Sequence, residues 1–477
     1  MSRASRGVLW SFIERFSTQG ISLVVGIVIA RLVTPAAYGQ VAIIQTFISF
    51  GQIFIDGGFG SALIQKQDRT DDDFQTVFIF NSIISIVLYW SLFFVAPAIA
   101  DFYDNADLVL LMWVVGLNLI ISGLALVQRT MLTIDLNFKT LAKASIVATV
   151  ISGIAGIVMA YSGFEVWALV AQQLLSQIIQ VLMLVVGVRW KIRFRFSWES
   201  FRTMFSFGFK LSLYDVVTNI YFNIINLLIG KRYSATSLGY YDRAFILPQI
   251  PSANISAVVN RTVYPLLCEM QDDRVGLLET YNRYLHYCNY IILPLMTLIM
   301  ALAEPLIAVL LTAKWLPAAE YVSLFSVNFM AYAWILLARS VLAGLGRSDV
   351  ILKSIFVTRG VSFLLLVITI GLGIKTICIG IVLGTFVELF IYMHNVKRVT
   401  GAGFLEQIKP QRDVILPNIL MGLFVFFIAE LFDGMFLKLV VGGLSGVILY
   451  VAFTFFFRLP ECRILNQHIV KYISRGW

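Results

Sequence analysis

Residues 30–65 read ARLVTPAAYGQVAIIQTFISFGQIFIDGGFGSALIQ. The opening is a charged turn, punctuated by Pro35 and Gly39, between two long apolar runs. In the middle run Gln45, Ser49, Gln52 and Asp56 recur at i, i+4, i+7 and i+11, so on a helix they share one face. The close sets a carboxylate, Asp56, beside Gly57, Gly58 and Gly60, where a backbone can bend or pack closely. A polar stripe inside a membrane-length segment points to a water-filled path.

The rest of the chain fits that setting. Its 477 residues are 59% hydrophobic and 13% charged, against roughly 25% charged in a soluble domain. Mean hydropathy is +0.86. Apolar runs of about 20 residues recur along the whole length, the mark of an all-α polytopic membrane protein. Met1–Gly7 is short and basic, but the following run continues through Glu14 and Arg15 with no small-residue cleavage site, so it is read as a retained first helix rather than a signal peptide. Cys268, Cys288, Cys378 and Cys462 are scattered, and His286, His394 and His468 form no cluster, so neither a disulfide framework nor a metal site is expected.

The pattern predicts about fourteen spanning helices joined by short connections. Helix two covers 40–65, helix seven 203–229, helix eight 245–268 and helix ten 321–342, and the last two cover 414–432 and 436–457. Of the 36 Lys and Arg residues, 24 fall on the side that holds the N-terminus and seven on the other. That bias predicts an even helix count and cytoplasmic termini. It also accounts for the net charge of +9 as loop charge that sets orientation, not as a nucleic-acid surface. The run RWKIRFRF at 189–196 reads as an interfacial hinge between two halves.

The halves repeat weakly at an offset of about 200 residues. ARLVTPAAYGQ (30–40) aligns with GKRYSATSLGYY (230–241), Arg31 with Lys231 and Gly39 with Gly239. Helix eight carries a second polar stripe, Gln249, Ser252, Ser256 and Asn260. A repeat of six helices inserts both halves with the same topology, which predicts two six-helix bundles in parallel pseudo-two-fold relation, with a cavity between them. The expected division is 1–190, 191–400 and, for two further helices and a tail, 401–477.

Further polar groups lie inside predicted helices. Helix seven has Asp215, Asn219, Asn223 and Asn226 on one face, just after Lys210. Helix one has Glu14 and Arg15, helix ten has Asn328, Tyr332 and Arg339, and Arg261, Arg359 and Glu388 add charges elsewhere. Each ionised group at mid-bilayer costs roughly 2.5–3.5 kcal/mol, tolerable where the face lines water or holds a charged ligand. Arg15, Lys210 and Arg339 sit within a few turns of the cytoplasmic ends, where snorkelling accounts for them equally well. The helix-seven asparagines read as interhelical glue or as cavity lining. Asp56 and Asp215 are too deep for short side chains to snorkel. Gly442 and Gly446 give a small-residue packing signal.

RLVTPAAYG (31–39), DGGFGSALIQ (56–65), LGYYDRAFILPQIP (238–251) and RTVYPLLCEMQDD (261–273) resemble the polysaccharide transporter family, over essentially the whole chain. Its members include O-antigen and colanic-acid flippases, within the superfamily that also holds the lipid II flippase and the MATE multidrug exporters. The resemblance implies a V-shaped pair of six-helix bundles plus two peripheral helices that form a groove for a lipid tail. It also implies export of undecaprenyl-pyrophosphate-linked oligosaccharide across a bacterial inner membrane, for O-antigen, capsule or exopolysaccharide. Cations and amides suit such a headgroup. Arg15, Lys210, Arg261, Arg339 and Arg359 are therefore the expected anion contacts. Gln45, Ser49, Gln52, Asn219, Asn223, Asn226, Gln249, Ser252, Ser256 and Asn260 are the expected glycan contacts. Asp56, Asp215 and Glu388 are candidates for coupling to H+ or Na+. Membrane lipid and polysaccharide polymerase machinery are the other expected partners. A MATE-like small-molecule exporter is the alternative, which the intramembrane basic residues disfavour. An enzyme is not expected, because the loops are short and no nucleophile, metal or Gly-rich phosphate motif is visible.

Overall fold

The computed structural model describes residues 3–66, 68–188 and 190–456, with the side chains of 3–6, 8 and 206–222 outside that description. Lys210, Asp215 and Asn219 are thus placed on a helix but their side chains lie outside the described residues. The chain packs as two compact units, Met1–Gly239 and Tyr240–Trp477.

In unit 1, α1 (Arg3–Leu32) runs into a turn at Thr34, and α2 (Pro35–Asp56) starts with proline, whose missing N–H costs nothing at a first helical position. The Thr34 N–H and hydroxyl both donate to the Glu165 carboxylate, at 3.2 and 3.0 Å. The sequence reading carries helix two unbroken from 40 to 65. The structure splits it at Gly57 and Gly58, whose φ of 37° and 70° lie in the left-handed region open to glycine. The short α3 (Phe59–Gln65) follows.

The next helix, α4 (Asp71–Phe102), is opened by the Thr70 N–H donating to Asp73 at 2.8 Å, while Lys66 Nζ holds both oxygens of the fully buried Asp73. There follow α5 (Asp107–Ile134), α6 (Phe138–Tyr161), capped by Asn137, and α7 (Val166–Val188). The small residues Ala144, Ala148, Ser152, Gly153 and Gly156 form the buried face of α6, which lets α1 and α7 approach closely.

Residues 190–197 form a non-helical segment tied to the first turn of α4. Gln75, fully buried, donates to the Lys191 carbonyl and accepts from the Arg193 N–H, both at 2.9 Å, and Trp190 Nε1 donates to Asp71 at 3.0 Å. The following α8 (Trp198–Arg232) packs on α2, α3 and α4, around Phe59, Phe80 and Phe201.

The repeat is visible in the helix ends. α1 ends at Leu32 and α8 at Arg232, and α2 begins at Pro35 while α9 (Ala235–Glu269) begins at Ala235, all at one offset of 200 residues.

Unit 2 is built on α10 (Arg274–Ala301), opened by Asp273, whose side chain accepts from the Gly276 N–H at 2.9 Å. It continues through α11 (Ala303–Leu311), a 3₁₀ turn at Ala313–Ala318, α12 (Ala319–Met330) and α13 (Tyr332–Gly344). A hairpin of α14 (Ser348–Thr369) and α15 (Ile374–Thr400) packs beside them. After α16 (Phe404–Ile408) and a 3₁₀ turn at Lys409–Gln411 come the last two helices, α17 (Arg412–Glu430) and α18 (Met435–Phe456).

Both last helices dock on α10, where Asn418 donates to Thr297 Oγ1 at 2.8 Å and the Tyr450 hydroxyl to the Tyr290 carbonyl at 2.9 Å. Gly442 and Gly446 sit where α18 meets Leu298, Leu302 and Val425, so their small size serves packing. The outer faces carry exposed Leu416, Leu423, Phe427, Leu444 and Ile448, as lipid contact requires.

Among the described residues, twelve helical segments are long and apolar enough to cross a membrane. With α8 and α9, 35 residues each, the architecture fits the fourteen read from the sequence.

Candidate functional site

The predicted stripe on α2 does face water-accessible space. Gln45, Ser49, Gln52 and Asp56 line one cavity of about 480 Å³ within unit 1, in the size range of roughly 300–1,000 Å³ typical of small-molecule sites. Gly57 and Gly58, at the left-handed bend, line it too. α5 adds Asn118, Ser122 and Arg129, and α7 adds Gln173 and Gln177.

Within this wall Gln173 Nε2 donates to Gln45 Oε1 at 2.8 Å, and Gln52 Nε2 donates to Asp56 Oδ1 at 3.2 Å. Asn118 is only 3% exposed, and among the described residues neither polar atom of its carboxamide has a partner. Arg129 Nη2 donates to Gln180 Oε1 at 2.9 Å. Among the described residues no ion pair joins Asp56 to Arg129, so one cavity holds both charges apart. Its polar lining is thus mostly amide and hydroxyl, with one cation and one carboxylate, beside apolar Ile48, Ile53, Ala125 and Leu126.

The sequence reading passed over Asn118, Ser122, Gln173 and Gln177, and counted Arg129 with the loop charges. The signal was present. Asn118, Ser122 and Arg129 stand at i, i+4 and i+11, and Gln173, Gln177 and Gln180 at i, i+4 and i+7. Neither stripe was bordered by a turn motif that drew attention to it.

Other predicted contacts are distributed. In unit 1, Arg15 is part-buried on α1, Asn223 is buried on α8 and Asn226 is half-buried one turn beyond it. In unit 2, α9 carries Gln249, half-buried, and Arg261, exposed. Ser252 and Ser256 are fully buried, and the Ser252 hydroxyl donates to the Phe329 carbonyl at 2.8 Å. Asn260 Oδ1 accepts from Ser340 at 2.6 Å, which ties α9 to α13. The second polar stripe is therefore largely committed to packing within its own unit.

Three charges of unit 2 do converge. Arg359 on α14 and Glu388 on α15 form an ion pair at 3.6 Å, with side chains 23% and 14% exposed. Arg339, exposed on α13, adds a second positive charge acting on Glu388. One turn before Glu388 on α15, Thr385 donates to Asn328 Oδ1 on α12 at 2.6 Å. A residue expected to hold an anion and one expected to couple an ion thus neutralise each other in this conformation. Among the described residues no group of histidine, cysteine and carboxylate side chains is arranged to hold a metal ion.

Among solved structures, the lipid II flippase MurJ in an inward closed conformation matches with a TM-score of 0.78 at 16% identity, over 94% of this chain and 99% of that one. At that identity the likeness speaks for the fold. Among relatives, the succinoglycan biosynthesis transport protein ExoT of Rhizobium meliloti (strain 1021) is 23% identical over 467 residues, 94% of this chain and 91% of its own. The teichuronic acid biosynthesis protein TuaB of Bacillus subtilis (strain 168) is 26% identical over 346 residues, 72% of this chain and 71% of its own. Residues 28–320, more than half of the chain, match the family model described as polysaccharide biosynthesis protein, and the chain belongs to that family.

Proposed function

We propose that this protein is a flippase that carries a lipid-linked oligosaccharide across the bacterial inner membrane for surface polysaccharide synthesis. The observation that carries the reading is the amide-rich cavity walled by α2, α5 and α7 inside a membrane-spanning bundle. Moving a glycan and its pyrophosphate through hydrocarbon would leave hydrogen bonds unmade and charge desolvated. A wall of Gln45, Ser49, Gln52, Asn118, Gln173 and Gln177 replaces water for sugar hydroxyls, while the carrier's apolar tail stays in lipid. The MurJ-like fold and the transport relative ExoT support the same reading.

In this reading the bundles 1–190 and 191–400 rock to alternate access, with both termini cytoplasmic. Asp56, bound by Gln52, holds a sugar hydroxyl or couples H+ or Na+ entry. Arg15, Lys210, Arg261, Arg339 and Arg359 serve the anionic headgroup, and Arg359 exchanges Glu388 for it.

The test is the sidedness of lipid-linked oligosaccharide after depletion of the protein. Glycan labelled in intact spheroplasts is compared with glycan labelled after lysis. Build-up that only lysis exposes, with loss of surface polysaccharide, is the expected result. Lipid-linked sugar that stays accessible from outside would move the defect to polymerisation or ligation and end the proposal. Asp56→Asn is expected to slow export roughly tenfold, the loss of one charge-assisted hydrogen bond of about 1.5 kcal/mol, with protein amount unchanged.

A further inference from the structure

Arg129 is connected to more than Gln180. Gln180 Nε2 on α7 donates to Ser145 Oγ on α6 at 3.0 Å, and the Ser145 hydroxyl donates to Glu14 Oε1 on α1 at 2.6 Å. The relay Arg129–Gln180–Ser145–Glu14 crosses four helices, and every bond points the same way, from the cation to the carboxylate. Bonds aligned in one direction polarise and strengthen one another in a low-dielectric interior. The arrangement balances the charge of Arg129 without touching it. A carboxylate bound directly to the guanidinium would occupy its fork. Glu14, three bonds away, offsets the charge and leaves that fork open.

Two further features point to a ligand at this place. Arg129 is exposed to the cavity and spends one of its donors on Gln180, its only hydrogen bond among the described residues. On the same helix and in the same cavity, Asn118 is buried with both polar atoms unpartnered among the described residues. A planar guanidinium with free donors matches the paired oxygens of a phosphate or a carboxylate.

We infer that Arg129 binds an anionic group of the substrate in the unit-1 cavity, and that Gln180, Ser145 and Glu14 are its positioning residues. This rests on the flippase reading. The anion is either the pyrophosphate of the carrier or a carboxylate on the glycan, which share the same paired-oxygen chemistry. A purely structural role for the relay, as glue between helices, makes opposite predictions.

The test uses the purified full-length protein in nanodiscs, with inorganic pyrophosphate and glucuronate as probes in equilibrium dialysis. Arg129→Gln is expected to weaken binding of one probe at least about tenfold, the loss of a hydrogen bond to a charged group. Weakening of pyrophosphate identifies the carrier, and weakening of glucuronate identifies the glycan. Gln180→Glu separates positioning from glue. It sets a carboxylate on the guanidinium, so the fork is filled while the bond between α5 and α7 becomes stronger and the donor to Ser145 on α6 is lost. The expected outcome is a loss of anion binding comparable to Arg129→Gln, whereas glue alone predicts a changed melting temperature with anion binding intact. Gln180→Glu that binds anions as wild type does would overturn the inference, as would wild-type protein that binds neither probe. Export read by sidedness keeps the two proposals apart. Normal export by Arg129→Gln removes the anion assignment alone, whereas normal sidedness after depletion of the whole protein removes the flippase reading.

Discussion

Gly39→Val is expected to leave almost no folded protein in the membrane. Gly39 lies in the second turn of α2, and a Cβ there would fall on the backbone carbonyl of Ala235 at the start of α9. The contact is reciprocal, because a Cβ on Gly239 would fall on the carbonyl of Pro35. These are the two glycines that align in the sequence repeat. Each start of a helix is thus held at backbone distance from the other, with no side chain between them to rotate away. Overpacking of a fitted contact commonly costs about 1–3 kcal/mol, and a clash with backbone belongs at or above the upper end. Gly39→Ala and Gly239→Ala should each lower the melting temperature and the amount of protein recovered from membranes. Because both act on one contact, the double variant should cost less than the two singles added together. Gly443→Ala is the control, since a Cβ there meets nothing within 4 Å. It should be neutral or slightly stabilising, as alanine is the better helix former. Equal melting of Gly39→Ala and Gly443→Ala would show that the approach is not a constraint.

The second large effect concerns charge. Glu388→Ala removes the partner of Arg359 and leaves two cations, Arg359 and Arg339, around the position of the lost carboxylate. Breaking a buried pair by removing one member costs about 3–5 kcal/mol. The side chains here are 23% and 14% exposed, which places the expected loss near the lower figure. Arg359→Ala should cost less, because Arg339 still attends Glu388. The double variant Arg359→Met, Glu388→Leu buries neither charge and should recover most of the stability, a coupling that a double-mutant cycle of melting curves measures directly. Export separates structure from function at this site. A stable double variant that still exports at the wild-type rate would remove Arg359 and Glu388 from the proposed mechanism. A stable variant that does not export would keep them there.

Much of the architecture was legible in local sequence. A helix in lipid satisfies its own backbone, so its existence depends on an apolar run and its ends on nearby chemistry. Pro35 opens α2, Gly57 and Gly58 break it, and the Thr70–Asp73 pair opens α4, all local signals, though the sequence reading started helix two at 40 and ran it unbroken to 65. Periodicity likewise set Gln45, Ser49, Gln52 and Asp56 on one face, and the 200-residue offset between α2 and α9 could be aligned by eye.

What tertiary structure decided is the identity of whatever each face meets. Two stripes of similar composition were read alike, yet the one on α2 lines a cavity while Ser252 and Ser256 on α9 are packed away. Arg129 has the sequence context of a loop charge, and only the packing of α5 against α7 brings it to Gln180 and the cavity wall. Arg359 and Glu388 were assigned separate roles until α14 and α15 set them in contact. Spacing along one helix reports which residues share a side. The rotation of that helix against its neighbours depends on side chains far apart in the chain. The sequence by itself therefore determined the membrane class, the approximate positions of the helices and the shared face of the stripe on α2. The pairing of charges, the walls of the cavity and the glycine contact between two helix starts belong to the tertiary structure.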